Sequence, residues 1–314
     1  MLEDPPFDLL CPGRRPAGIA PVLLPATDAG DADWDGFAHL LGRIADTALL
    51  PGVNLRPGAV DRIDPSTRAE VVATAGAALG GRTFVAGVRA EPGDDDGFDP
   101  ARLAGAVQAV ARHQAVPVLL PSPVLATLGP DEFLGLVAWM GDWCERLLVV
   151  EAPPSRWTGG RPLDAGVFGA LLEIPACVGV VHASGDRTAE WDRVRRRDEE
   201  RSDFQVFSAN ERAIDQVMYG TDHCLDLSAA IPDVLDERDA RWEAEDPTVL
   251  DVQDAIQALA TMVFRAPAAG ADQALARVLR LRGWLPHDRV LGDPPRRPDT
   301  DDDLLGPLLE RLVG

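Results

Sequence analysis

Short apolar runs alternate with longer amphipathic ones along most of this chain. Runs rich in Val, Leu and Ile fall at 18–24, 52–55, 83–88, 116–120, 147–151, 178–182, 204–207 and 223–227. They lack strict polar alternation, which is the pattern of parallel strands covered on both faces. Between them, helical patterns occupy 34–46, 65–79, 100–113, 131–144, 163–172, 187–200 and 211–219. Asp64-Pro65, Asp99-Pro100 and Gly129-Pro130-Asp131 supply start signals for three of these, with Pro or an acidic residue in the first turn. Eight strand–helix units filling about 230 residues match the size of a (β/α)8 TIM barrel. A two-domain doubly wound protein is the alternative, but no linker or composition break interrupts the middle of the chain. After the eighth strand, 232–245, 248–264, 272–282 and 302–312 read as helices with no strand between them, and 291–303 reads as a loop ending in a helix cap. The expected organisation is an N-terminal segment 1–17, a barrel 18–232 and an α-helical C-terminal extension 233–314.

Composition narrows the function. The 314 residues are 46% hydrophobic and 26% charged, a globular mixture, with a formal net charge of -21. So acidic a chain is not expected to bind nucleic acid or an anionic membrane through its general field. No apolar run approaches the length of a bilayer span, and the acidic start MLEDPPFDLL lacks the positive charge of a signal peptide. Cys11, Cys144, Cys177 and Cys224 are far apart and form no CxxC pair. That excludes a disulfide framework and a zinc site from the pattern, and a reducing cytoplasm is the expected location. All 30 basic residues are arginine. Arginine stays protonated and cannot be the amine of a Schiff base, so no lysine imine is available to this chain.

Several stretches carry a resemblance. Gly18-Ile-Ala-Pro-Val with Asp33-Trp34 downstream, Thr67-Arg68-Ala-Glu-Val-Val, Gly179-Val-Val-His-Ala-Ser-Gly-Asp186, Phe207-Ser-Ala-Asn and the run from Tyr219-Gly to Pro232 stand in the order and spacing of one family. In these the chain resembles the dihydrodipicolinate synthase / N-acetylneuraminate lyase family, from about Gly18 to the end. The resemblance implies a barrel whose members are class I aldolase-type lyases or synthases acting on pyruvate or another 2-oxo acid without a cofactor. It also implies a Schiff-base lysine on the sixth strand, and the matching position here is Val181. The glycine-threonine loop after strand two corresponds to Leu55–Ala59, where only Gly58 matches; the aromatic hydroxyl after strand four becomes Pro121-Ser-Pro123, and the tyrosine after strand five falls on Val150 or Glu151. Nucleophile, phenol and relay are all absent. Pro154-Ser155-Arg156, with Thr158-Gly159, resembles the segment whose arginine holds the substrate carboxylate; an exposed loop arginine is the other reading of Arg156.

Other candidates lie where barrel active sites lie, at the C-terminal ends of the strands. Arg56, Arg89, Glu91, Ser122, Glu151, Arg156, His182, Ser184, Ser208, Asn210 and Asp226 are expected there. Glu151 and His182 are the candidate catalytic pair, a carboxylate beside an imidazole for acid–base work, with Arg156, Arg56 and Ser208 as candidate substrate-binding residues. Alternation would instead turn His182 away from the barrel interior, leaving both as paired or solvated residues. No metal site is expected, since the five histidines are dispersed, and Asp94-Asp95-Asp96 reads as a solvated loop. Gly76–Gly81 reads as a helix cap rather than a phosphate loop, and 193–201 as a salt-bridged helix face. The expected function is a barrel that has lost imine chemistry, either non-catalytic or binding a small carboxylate; the rival is a lyase or hydrolase with rebuilt chemistry. Leu275, Val278, Leu279 and Trp284 on C-terminal helical faces predict self-association, as a homo-oligomer or with an active paralogue.

Overall fold

The computed structural model describes residues 9–92, 98–292 and 294–313. Eight parallel strands close into a barrel in sequence order: β1 Gly18–Pro21, β2 Leu50–Val53, β3 Phe84–Arg89, β4 Ala115–Leu120, β5 Leu147–Glu151, β6 Cys177–His182, β7 Gln205–Ser208 and β8 Asp222–Cys224. The helices are α1 Trp34–Ala45, α2 Pro65–Leu79, α3 Pro100–Arg112, a short α4 Pro123–Ala126, α5 Pro130–Met140, α6 Ala165–Leu172 and α7 Arg187–Glu200. Beyond β8 come α8 Pro232–Glu243, α9 Val249–Val263, α10 Ala271–Leu281 and α11 Asp302–Val313. This is a (β/α)8 TIM barrel with an α-helical C-terminal extension. Aspartates start many of the helices. Asp64 accepts from the Ser66 and Thr67 amides at 2.8 and 2.9 Å, and Pro65 occupies the first turn, where no amide is needed.

The chain gathers into two compact units: 1–51, 56–63 and 211–314 form one, and 52–55 with 64–210 the other. In the second, β3 to β7 pair in sequence order, with one register shift between Leu147 and Leu148 where β5 meets β6. Lateral neighbours in a parallel sheet point to the same face, so one row holds Val150, Val181 and Phe207 and the next holds Glu151, His182 and Ser208. In the first unit, β1 pairs with β8, placing Gly18 opposite His223.

Two expectations are corrected. The stretch 211–219 is a 3-10 run, Ile214–Tyr219, rather than an α-helix. Its leading residues are held elsewhere, because the Glu211 carboxylate accepts from the Asp226 amide and the Glu211 carbonyl from Gln257 Nε2. Gly220, at φ 91°, then stops it. The apolar stripe 275–279 is not exposed: Leu275, Val278 and Leu279 are buried within the chain. Trp284 is half-buried, with the Arg282 and Arg43 guanidinium groups 3.8 and 4.3 Å from its ring centroid. Among the described residues, no helix is long and apolar enough to cross a membrane.

Candidate functional site

The inward row at β5 to β7 is apolar. Val150, Val181 and Phe207 are all buried, and none carries a group that could attack, protonate or bind charge. Val181 stands where the resemblance puts the imine lysine.

The adjacent row faces the helix layer and is polar. Glu151 and His182 are register partners at the ends of β5 and β6, 2% and 1% exposed. His182 Nδ1 meets Glu151 Oε1 in a short contact. Arg193, from α7, sets Nε 3.2 Å from Oε1 and Nη2 3.2 Å from Oε2, and the Leu163 amide donates to Oε2 at 3.1 Å. The same guanidinium lies 4.6 Å from the Phe168 ring centroid on α6, which fixes this row as the helix-facing side of the sheet. Burial pushes the Glu151 carboxyl up, but the His182 hydrogen bond and the His182 and Arg193 charges outweigh it and hold it below the usual carboxylate range. An ionised Glu151 only accepts. His182 Nδ1 therefore donates to it, and Nε2 is left to accept whenever the imidazole is neutral.

Nε2 has a partner that the sequence reading placed on the rim without assigning it a role. Ser184 Oγ lies 2.5 Å from His182 Nε2 and accepts from the Asp186 amide at 2.9 Å. Gly185, at φ 77°, makes the tight turn that brings that amide back, and the Asp186 side chain then caps α7 through the Thr188 and Ala189 amides. A signal for this pairing was available: residues i and i+2 share a face of extended chain, so His182-Ala-Ser184 at a strand end puts both on the side of Glu151. Arg193 gave no such signal. The buried stripe of α7 is Glu190, Arg193, Val194 and Arg197, at helical spacing but mostly charged. The expected salt-bridged face is realised in Arg196 with Glu200 at 2.5 Å and in the buried Arg197 with Asp198 at 2.6 Å.

The remaining candidates are dispersed. Arg156 is half-buried in a loop whose Gly159, at φ 74°, packs so closely on the Ser122–Pro123 backbone that a Cβ would fall 2.1 Å from the Ser122 carbonyl carbon. Among the described residues its hydrogen bonding is a single 3.3 Å contact to the Ala209 carbonyl, with no carboxylate in ion-pair reach. A Cβ on Gly185 would lie 3.9 Å from Arg156 Nη1, so this cation borders the Ser184 turn. Ser208 Oγ accepts from the Asn210 amide at 3.3 Å, Ser122 Oγ caps α4, and Arg89 lies 3.5 Å from Glu91. In the other unit Arg56 stands 3.9 Å from Asp226, whose charge holds the guanidinium pKa above its usual value against burial. Asp94-Asp95-Asp96 lies outside the described residues. Among the described residues, no group of three or more His, Cys, Asp or Glu is placed to hold a metal. Burial raises the Cys177 thiol to about 12 and Cys144 to about 11, so neither is a thiolate nucleophile at neutral pH.

No protein-family model matches the sequence, and no curated protein matches it. Solved structures do match along nearly the whole chain. A prophage protein of the dihydrodipicolinic acid synthase family from E. coli K12, in complex with pyruvate, superposes with a TM-score of 0.80 at 12% identity, covering 95% of this chain and 98% of its own. The dihydrodipicolinate synthase of Agrobacterium tumefaciens C58 gives 0.78 at 16% identity, covering 95% and 98%. That of Rhodopseudomonas palustris gives 0.77 at 15% identity, covering 96% and 99%. At such identities the likeness is one of fold, and the chain has the barrel fold of the dihydrodipicolinate synthase structures.

Proposed function

We propose that this barrel has given up lysine imine chemistry and that its mouth binds a small carboxylate or 2-oxo acid on Arg156, without a cofactor. The carrying observation is Arg156 itself: a half-buried guanidinium with no carboxylate in reach among the described residues, in a chain of net charge -21. Most other arginines here have an acidic partner or a set of carbonyls; this one has capacity left for a bidentate ligand. The apolar row of Val150, Val181 and Phe207 supports the loss of imine chemistry, and the pyruvate held by the E. coli relative supports the ligand class. Four free thiols are in keeping with a cytoplasmic protein. Association with a second copy or an active paralogue belongs to the same proposal, supported now by Leu250, Leu304 and Val313, which stay exposed on α9 and α11.

Calorimetry against pyruvate, other 2-oxo acids and dicarboxylates tests the reading. A partly desolvated bidentate contact contributes about 1.5–3 kcal/mol, so Arg156→Ala should weaken binding about ten- to a hundredfold. Equal affinity in wild type and variant, or no binding at millimolar ligand, would remove it. Borohydride with pyruvate should trap no adduct on an internal peptide, and one that did form would overturn the loss of imine chemistry. Light scattering that gave only monomer mass at micromolar concentration would count against association.

A further inference from the structure

We infer that Ser184, His182 and Glu151 form an acyl-transfer relay, with Ser184 as nucleophile toward esters of small carboxylic acids. With the His182 imidazole neutral, the hydrogen bonds around it fit one proton arrangement. Arg193 and the Leu163 amide hold Glu151 as a carboxylate, so His182 Nδ1–H donates to it. Nε2 is then the acceptor, and the Ser184 hydroxyl donates to it across 2.5 Å, while the Asp186 amide occupies a lone pair of Oγ. A nucleophile bonded to a base, and a base oriented by a buried carboxylate, is the geometry that activates a serine. Ser184 is partly exposed in the loop after β6, with His182 Nε2 directly behind its hydroxyl and Glu151 buried beyond. Glu151 and Arg193 are positioning residues; Ser184 and His182 meet the reacting atoms.

The step balances without a cofactor. Ser184 Oγ bonds to the ester carbonyl carbon and its proton passes to His182 Nε2. The carbonyl–alkoxy bond breaks and the departing alkoxide takes that proton from Nε2, leaving an acyl-serine. Water then attacks the acyl carbon, gives its proton to Nε2, and the acid departs as Oγ recovers the proton. Arg156, bordering Gly185, favours an acyl group that bears a second carboxylate. This preference rests on the Arg156 reading given above, whereas acylation of Ser184 does not.

Two measurements separate them. A fluorophosphonate probe on the folded full chain should label Ser184, the one serine between Arg156 and Arg187, and Ser184→Ala should abolish that label. p-Nitrophenyl acetate should be hydrolysed with a burst equal to the enzyme concentration, and Ser184→Ala, with an unchanged far-UV spectrum, should lose more than a hundredfold in rate. Absence of the label from Ser184, or hydrolysis unchanged in Ser184→Ala, overturns the relay. The mono-p-nitrophenyl ester of succinate should outpace the acetate in the wild type and lose that advantage in Arg156→Ala. Equal rates in the wild type would overturn the carboxylate preference, while calorimetry decides the Arg156 reading and labelling at Ser184 would still support the relay.

Discussion

At one height of the barrel, the two faces of β5, β6 and β7 carry opposite chemistry. Facing in are Val150, Val181 and Phe207; facing the helices are Glu151, His182 and Ser208. A reader who knows only that barrel enzymes work at the C-terminal ends of their strands would look inward first, and the inward row holds nothing reactive. The row behind it holds a hydrogen-bonded carboxylate and imidazole with a guanidinium upon them, reaching solvent through Ser184. A single residue of register separates the two rows, and with it the difference between an apolar face and a polar one.

The largest effect that would test this contrast is removal of the buried carboxylate. Glu151→Ala leaves the Arg193 guanidinium inside the protein without its partner and takes away the acceptor of His182 Nδ1. Breaking a buried pair from one side costs about 3–5 kcal/mol. Urea unfolding should show it, and a loss under 1 kcal/mol would mean that the row is far more solvated than its 1–2% exposure indicates. On the inward face, Val181→Thr keeps the shape and adds a hydroxyl with no partner in its row. That should cost about 1–3 kcal/mol. A neutral or stabilising result would place a polar partner or water in that row and undo its description as apolar.

Acid sharpens the comparison, because only the outward row titrates. Glu151 has its folded pKa depressed, so its contribution is present above the unfolded value of about 4.3 and is lost as pH falls through that value toward the folded one. Stability of the wild type should therefore fall on acidification below about pH 4–5, and Glu151→Gln should flatten that limb. Some slope should persist in the variant. Asp239, in the other unit, is pushed up by burial but held down more strongly by Arg238 and by His223, 2.8 Å away. An unchanged acid limb in Glu151→Gln would show that the depression of Glu151 is not realised.

The sequence carried most of the fold and the first half of the site. Strand positions were legible because strands covered on both faces are continuous Val, Leu and Ile runs, and helix starts because Asp before Pro has one good local structure. The alternation argument turned His182 outward, and that is its orientation. Legibility ended where burial is not apolar. The inner stripe of α7 is Glu190, Arg193, Val194 and Arg197, so hydrophobic periodicity could not mark Arg193 as the partner of Glu151. It failed in the opposite sense at Leu275, Val278 and Leu279, since an apolar stripe gives a buried face without saying whether the chain's own helices bury it. The stretch 211–219 read as one α-helix because the bonds that hold Glu211, from the Asp226 amide and Gln257 Nε2, are invisible in local pattern.

The smallest expected effect isolates the turn that joins the buried row to solvent. Gly185 sits at φ 77°, and a Cβ there would meet nothing closer than Arg156 Nη1 at 3.9 Å, so Gly185→Ala has a backbone cost and little steric one. An L-residue in the left-handed region costs about 1–2 kcal/mol. Gly80, the C-cap of α2 at φ 57° with nothing within 4 Å, provides the matched control, since Gly80→Ala has the same kind of cost far from the row. The two variants should lose similar stability in thermal melts. Only Gly185→Ala should slow fluorophosphonate labelling of Ser184, because relaxing its φ draws the Asp186 amide off Oγ and swings the hydroxyl from His182 Nε2. Labelling slowed equally in both variants would tie it to global stability. Labelling slowed in neither would show that Ser184 reacts without the geometry described for it.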